Sequence, residues 1–149
     1  MRGAPATSLE ATAAINDAPR DGLEIEDEVF SPERNRAFED AMLASDYRVY
    51  RVLARHERSG EIAGVTARLV DGETSTHADQ LDTSVVGAHR GHRLGLLLKA
   101  DMLRWLAESE PRLATVDTFN AESNDHMVAV NERLGYRVMG RELQYQDAI

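Results

Sequence analysis

DTSVVGAHRGHRLGLLLKADMLRWLAE, which runs from Asp82 to Glu108, is the most informative stretch of this sequence. β-Branched residues predict a strand at its start, and Gly87 ends that strand. A basic loop containing Gly91 follows, and a long helix begins near Gly95. The first turn of a helix has unpaired N–H groups and the positive end of the macrodipole, so the loop predicts an anion-binding site.

Two motifs in the chain resemble a known family. RGHRLG, from Arg90 to Gly95, resembles the acyl-CoA pyrophosphate loop of the GNAT superfamily of N-acetyltransferases, although Arg93 stands where the middle glycine is usual. NDHMVAVNERLGY, from Asn124 to Tyr136, is similar to the NxxAxxLYxxxGF segment of that family. Their order and separation most closely resemble the second half of tandem GNAT proteins, over roughly residues 47 to 145.

The resemblance implies acetyl-CoA as the co-substrate. The backbone N–H of Val85 would face the thioester carbonyl, where a donor stabilises the developing oxyanion. The counterpart of Asn124 hydrogen-bonds the pantetheine arm. The alternatives without a role in CoA binding are a solvated basic turn for the loop, a strand end at Asn120, a helix cap at Asn124 and a helix-terminal cation at Arg133. The predicted CoA-binding residues are Val85, Val86, Arg90, Gly91, His92, Arg93, Leu94, Gly95, Leu96, Asn120, Asn124 and Arg133.

The predicted catalytic residues are Asp82, Val85 and Asn131. Many GNAT enzymes carry at the place of Asn131 a tyrosine that returns a proton to the CoA thiolate, which asparagine cannot do. The helical wheel turns Asn131 inward, where an unpartnered amide costs about 1–3 kcal/mol. We therefore expect it to bond the backbone or CoA, or to lie in a wet site. If another acid has been recruited, the candidates are Tyr136, Tyr145 and His126.

Asp82 is the preferred general base, acting directly or through a water, with an ordinary strand-edge carboxylate as the alternative. The other candidates for this role are His77, Asp79 and Glu122. A metal cluster of His77, Asp79, Asp82, His89 and His92 is a weaker hypothesis because these residues form no tight motif, so no metal is predicted. Lys99 is expected to snorkel beside the apolar stripe of the long helix.

The predicted fold class is α/β, a GNAT fold with a mixed central sheet flanked by helices. The sheet combines antiparallel N-terminal strands with a splayed parallel pair at the CoA site. Residues 1–22 are predicted to be a mobile arm or linker helix, and residues 23–149 a single domain. The predicted elements are a short helix at 9–15, an edge strand at 23–29, a helix from Ser31 to near Asp46, strands at 47–56 and 61–70, a loop at 73–79, a strand at 82–86, the helix after Gly95, a strand at 113–120, a helix capped by Ser123 or Asn124, and one or two closing strands within 136–146.

Composition restricts the classes of function. The absence of cysteine excludes disulfides, thiolate zinc sites and cysteine nucleophiles. A formal charge of −9 argues against a general nucleic-acid binder, and no segment has the length and apolarity of a membrane span. We therefore expect a cytoplasmic protein without a nucleic-acid or membrane partner. A homodimer is left open.

The function that these observations favour is transfer of an acetyl group from acetyl-CoA to a primary amine. The amine, on a small molecule or a peptide, would attack the thioester directly, without a covalent enzyme intermediate. A cationic acceptor is left open. The alternative is a non-catalytic acyl-CoA-binding module, a degenerate GNAT half. A metal- or nucleotide-binding regulator is a third class, which the motif spacing disfavours.

Overall fold

The computed structural model describes residues 6–147. Within this range no helix is both long and apolar enough to cross a membrane. In chain order the elements are α1 (Ala6–Ala13), a 3₁₀ turn (Ala14–Asp17), α2 (Pro32–Ala44), β1 (Tyr47–Arg55), β2 (Ile62–Asp71), β3 (His77–Val85), a second 3₁₀ turn (Gly87–His89), α3 (Leu94–Ser109), β4 (Thr115–Asp117) and α4 (Asp125–Arg133).

The four strands form one mixed sheet in the order β1-β2-β3-β4. β1, β2 and β3 are antiparallel neighbours, whereas β3 and β4 are parallel. The parallel pairing joins only His77–Asp79 to Thr115–Asp117, and β3 continues to Val85 without a partner on that side. The sheet therefore has the predicted GNAT architecture, with two parallel strands that part.

β3 contains a bulge at the point where it leaves β4. Arg68 pairs with Gln80 and Thr66 with Thr83, so that Leu81 and Asp82 together oppose Ala67 alone. An extra residue of this kind bends a strand and turns nearby side chains in a new direction. The bulge thus lies beside the residues that the sequence places at the thioester.

α3 covers one face of the sheet with the apolar stripe predicted for it. Leu98, Met102 and Leu106 are buried, and the last two pack with Val70 and Ala78 in the core. Trp105, predicted for the same side, is 41% exposed.

A polar network fixes the end of α3 to β1. Both carboxylate oxygens of Glu110 accept hydrogen bonds from Arg48, at 2.7 and 2.8 Å, and Tyr50 donates a third at 2.6 Å. The hydrogen bond from Arg48 is the main cause that lowers the pKa of Glu110. Such a bidentate pair adds directional as well as electrostatic stabilisation.

Three predicted elements differ from the structure. β3 begins at His77 rather than at Asp82, because residues 77–81 find partners along β2. Residues 23–29 form no strand, and the side chain of Asn16 bonds the backbone N–H and C=O of Glu28, both at 3.0 Å. The closing strands predicted within 136–146 are absent from the described chain, where the three-residue β4 offers a short edge for pairing.

Residues 6–17 are helical and lie on the sheet. Ala11 is fully buried, and the hydroxyl of Ser84 donates a hydrogen bond to its carbonyl oxygen. The structure thus contains a helix within the predicted arm, and that helix packs against β3. The domain boundary between residues 22 and 23 remains a prediction.

Candidate active site

The N-terminus of α3 presents free backbone donors. Arg93 is the N-cap residue and makes no side-chain capping bond, and the first helical hydrogen bond runs from the N–H of Leu97 to Arg93 at 3.1 Å. Within residues 6–147 the N–H groups of Leu94, Gly95 and Leu96 therefore have no partner. Three free donors at the positive end of a 16-residue helix are the arrangement that suits an anion.

The loop before α3 keeps the backbone shape that its glycine pattern requires. Arg93 has φ 58° and ψ 23°, the left-handed conformation that glycine adopts without cost, and Gly91 has φ 83°. A Cβ on Gly95 would meet no protein atom within 4 Å, so the space above that residue is open. Arginine in place of the middle glycine therefore adds a cation without changing the course of the chain.

Two predicted binding residues are already engaged within the protein. Arg90 Nε donates to the carbonyl oxygen of Val85 at 2.9 Å, and its Nη2 lies 2.7 Å from Asp17. The N–H of Val86 donates to Ala63 at 2.9 Å. Arg90 thus braces the loop against the end of β3. His92 and Arg93, by contrast, are exposed and have no side-chain partner among the described residues.

The backbone N–H of Val85 points away from β2. Val86 and Ala63 form a hydrogen-bonded pair, so the adjacent pair of Val85 and Gly64 is of the non-hydrogen-bonded type. Both polar backbone groups of Val85 then face the edge from which β4 has parted, and its carbonyl oxygen meets Arg90 there. The donor that the sequence assigns to the thioester carbonyl therefore faces the open side of the sheet.

A cleft of about 150 Å³ fills the gap between β3 and the chain after β4. It brings together Asp82, Asn120 and Asn124 from the predicted site. Asn124 Oδ1 caps α4 by accepting from the N–H of Met127 at 3.2 Å, which leaves its amide group free to donate. The other lining residues are Ile15, Ala18, Pro19, Gln80, Leu81, Thr83, Lys99, Thr118, Phe119, Ala121 and Met127.

Asp82 is the only candidate base that lines this cleft. Crowding around its carboxyl group in the cleft removes hydration and raises the pKa, although Asp82 as a whole residue is exposed, and repulsion from Glu28 adds to the effect. His77 and Asp79 lie 3.3 Å apart, and Glu122 pairs with Arg141 at 3.4 Å. Among residues 6–147 no group of three or more metal-ligating side chains has a geometry that holds a metal.

Lys99 forms part of the wall of the cleft, and the prediction that it snorkels is wrong. The residue is 1% exposed, and its Nζ donates a hydrogen bond to Oδ1 of Asn131, which is buried as predicted. The same Nζ lies 5.2 Å from the ring centroid of Tyr136. The buried Asn131 of α4 supplies the partner, so the amine of Lys99 bonds an amide oxygen instead of reaching solvent.

A second buried cation lies beside Lys99. Arg68 is fully buried and donates through Nη1 to the hydroxyl of Tyr136 at 2.8 Å, while its Nε and Nη2 have no partner. Burial, followed by repulsion from Arg68, lowers the pKa of Lys99 to about 8. We call Arg68, Lys99, Asn131 and Tyr136 the buried basic cluster. No carboxylate pairs with either of its cations in the described chain.

Two positions in the sequence mark this cluster, although neither belongs to the two family motifs. Arg68 interrupts the apolar run of β2, and Lys99 directly follows the buried Leu98 in α3. A cation at an inward position of an otherwise apolar strand or helix marks a buried charge that requires a partner.

The lowered pKa of Lys99 predicts a pH-dependent stability. Because burial disfavours the charged amine, the native protein should gain about 2–3 kcal/mol between pH 7 and pH 10, as deprotonation removes the cost of burying the charge. Lys99→Met lacks this gain. Urea unfolding of both proteins across that range measures the difference, and parallel curves would show that Lys99 is not buried as a cation.

The fold has counterparts among solved structures. No family model and no curated protein sequence matches the chain. A tandem GNAT protein from the clavulanic acid biosynthesis pathway is 32% identical with a TM-score of 0.71, over 89% of this chain and 38% of that one. An acetyltransferase of Trypanosoma brucei is 17% identical with a TM-score of 0.67, over 94% of this chain and 90% of that one.

A ribosomal-protein-alanine N-acetyltransferase of Brucella melitensis is 21% identical with a TM-score of 0.66, over 93% of this chain and 85% of that chain. This likeness and the trypanosomal one support the fold alone. The tandem protein adds sequence identity, and the chain spans 38% of its length. With the loop before α3 and the parting of β3 from β4, these findings show that the chain belongs to the GNAT superfamily.

Proposed function

We propose that the protein transfers an acetyl group from acetyl-CoA to a primary amine. The observation that carries the proposal is the set of free N–H groups at the start of α3, next to a strand end whose Val85 N–H faces the open edge of the sheet. Family membership supports acyl transfer in general. The proposal goes further in naming acetyl-CoA as the acyl donor and a primary amine as the acceptor.

The residues at α3 fit the pyrophosphate of CoA. The N–H groups of Leu94, Gly95 and Leu96 would bind its oxygens, and the side chains of His92 and Arg93 flank them. The open space above Gly95 leaves room for a close approach. In the cleft, Asn120 and Asn124 would bind the amides of the pantetheine arm, with Arg133 as a candidate for a more distant phosphate.

Acetyl-CoA, when bound, supplies an activated acyl carbonyl and a thiolate leaving group. The N–H of Val85 would donate to the carbonyl oxygen, where negative charge develops. Asp82 would take the proton of the attacking amine, directly or through a water. The raised pKa of Asp82 makes its carboxylate a stronger base than an ordinary carboxylate.

A cationic acceptor fits the acidic groups around the cleft. Asp82 lines the cleft, Glu28 is close enough to raise its pKa, and the chain as a whole carries −9. The segment from Ile15 to Pro19 forms another side of the cleft. These acidic groups would hold a cationic acceptor there, while the amine that attacks is neutral and gives its one proton to Asp82.

The competing proposal is a non-catalytic acyl-CoA-binding module. Asn131, in place of the tyrosine that many members carry, is the observation that favours it. Such a module would bind acetyl-CoA as tightly but release no free thiol with any amine.

Acetyl-CoA should bind with micromolar affinity, about −8 kcal/mol, and raise the melting temperature. Free thiol should then be released when amines and amine-bearing peptides are added, and mass spectrometry should show an acetylated product. Binding without release would favour the non-catalytic module. Absence of binding heat and an unmoved melting temperature at millimolar acetyl-CoA would contradict both proposals.

Gly95→Asp separates ligand binding from folding. Because a Cβ there has open space and a carboxylate is favourable at the N-terminus of a helix, the free protein should be unchanged or up to about 1 kcal/mol more stable. The carboxylate should repel the pyrophosphate and weaken CoA binding at least about tenfold, ~1.4 kcal/mol. Gly140→Asp, also in open space and far along the chain, is the control. Calorimetric titration of the three proteins checks this, and equal affinities would place CoA elsewhere.

Arg93 can be tested for charge and backbone conformation at once. If its guanidinium reaches the pyrophosphate, both Arg93→Ala and Arg93→Gly should weaken CoA binding by ~1.5–3 kcal/mol and reduce the salt dependence. Only glycine adopts φ 58° without strain, so Arg93→Gly should be more stable than Arg93→Ala by roughly 1 kcal/mol. Affinities that match the native protein across a salt series would show that Arg93 points away.

A further inference from the structure

The buried basic cluster lacks a negative charge. Arg68 and Lys99 are 0% and 1% exposed, and Arg68 keeps two buried nitrogens without a partner. Burying an unpaired charge is costly, and buried cations are normally matched by a carboxylate. The sequence has 26 acidic residues, and within residues 6–147 none of them pairs with either cation. The arrangement suits an anion that comes with a ligand or forms during a reaction.

Lys99 is the only lysine of the sequence. The other 16 of its 17 lysine and arginine residues are arginine. An arginine keeps its proton at every accessible pH, whereas a buried lysine can give its proton away. If only a fixed positive charge were needed at this position, an arginine would supply it, as arginines do at the other basic positions. The single lysine instead lies in the wall of the cleft, bonded to Asn131.

We infer that Lys99 is the acid that returns a proton to the departing CoA thiolate, and that Arg68 stabilises the negative charge on that sulfur. The inference rests on the proposed acetyl transfer. The cleft holds Lys99 together with Thr83, two residues before the proposed carbonyl donor Val85. Asn131, at the position of the usual tyrosine acid, is the hydrogen-bond partner that orients the amine of Lys99.

Atoms and charges balance in this step. The amine nitrogen forms a bond to the acyl carbon, and the carbon–sulfur bond breaks with its electron pair moving to sulfur. Asp82 takes one proton from the amine, and Lys99 gives one proton to the sulfur. The products are an amide and free CoA thiol. Proton exchange with water afterwards restores the carboxylate and the ammonium group.

The surroundings of Lys99 suit such a transfer. Its pKa of about 8 lies close to the range of about 8–9 typical of a free thiol, so the proton passes with little cost in either direction. Arg68 faces it from β2 and Tyr136 from the end of α4, while Asp82 lines the same cleft from β3. Asn131 is neutral. The hydroxyl of Tyr136 accepts from Arg68, which makes Tyr136 a positioning residue.

A direct test uses the single lysine. In protein labelled with ¹⁵N-lysine, one side-chain signal reports the titration of Lys99 without any assignment. Bound CoA thiol should raise its pKa, because a thiolate beside it favours the ammonium form, whereas desulfo-CoA, which lacks the thiol, should not. Identical titrations in the two complexes would overturn the inference, whether or not the protein turns over any amine.

The kinetic test compares pH profiles. The native rate should fall above about pH 8 as Lys99 loses its proton. Lys99→Met should lower kcat by roughly 10²-fold or more and abolish this alkaline limb, with a smaller loss for a thioester whose thiol is more acidic. Lys99→Arg keeps the charge and should bind CoA normally, yet show the same slow, limb-free profile. Tyr136→Phe should keep the limb.

The outcomes separate the two levels of the account. An alkaline limb that persists in Lys99→Met, or one that vanishes in Tyr136→Phe alone, would refute Lys99 as the acid while leaving acetyl transfer intact. Absence of thiol release from the native protein with every amine would refute acetyl transfer, and the ¹⁵N titration would still decide whether Lys99 meets the sulfur. Lys99→Arg serves as the second variant if Lys99→Met does not fold.

Discussion

The parting of β3 from β4 is the constraint on which the rest of the site depends. β4 is three residues long, so β3 has an unpaired edge from Gln80 to Val85. In an ordinary sheet an exposed edge of this kind would invite pairing with another chain. Here a bulge, a cleft and the loop that begins α3 occupy that edge. The free N–H of Val85 at the end of β3 and those of Leu94 to Leu96 at the start of α3 are thus separated by one short loop. This arrangement suits a long thin ligand such as CoA.

The same region concentrates features that oppose stability. Arg93 takes a backbone conformation suited to glycine, α3 begins without a side-chain cap, and two cations are buried without a carboxylate. Each costs free energy in the isolated protein, and the network around Glu110 at the other end of α3 shows that the chain can satisfy buried charges. Violations of local rules that cluster in one place are expected at functional sites.

Local patterns in the sequence predicted much of this structure. The β1–β2 hairpin, the inner face of α3 and the cap at Asn124 follow from spacing and turn chemistry, which act over a few residues. The start of β3 was set by its pairing with β2, which local patterns do not show. The predicted closing strands do not form within the described residues because β4 offers only a short edge. The partners of Arg90 and Lys99 come from distant parts of the chain. Tertiary contacts of this kind leave no periodic signal, so the backbone shape of the loop before α3 was predictable, whereas the partners of the buried cations were not.

The central claim is that the first turn of α3 and the end of β3 bind acyl-CoA together. Backbone amide NMR during a titration with acetyl-CoA tests it most directly, because each free N–H reports its own hydrogen bond. The account predicts that the largest downfield shifts belong to Leu94, Gly95, Leu96 and Val85, and that Val85 alone among them responds when CoA replaces acetyl-CoA. Saturable binding that leaves these four amides unmoved while others shift would contradict it.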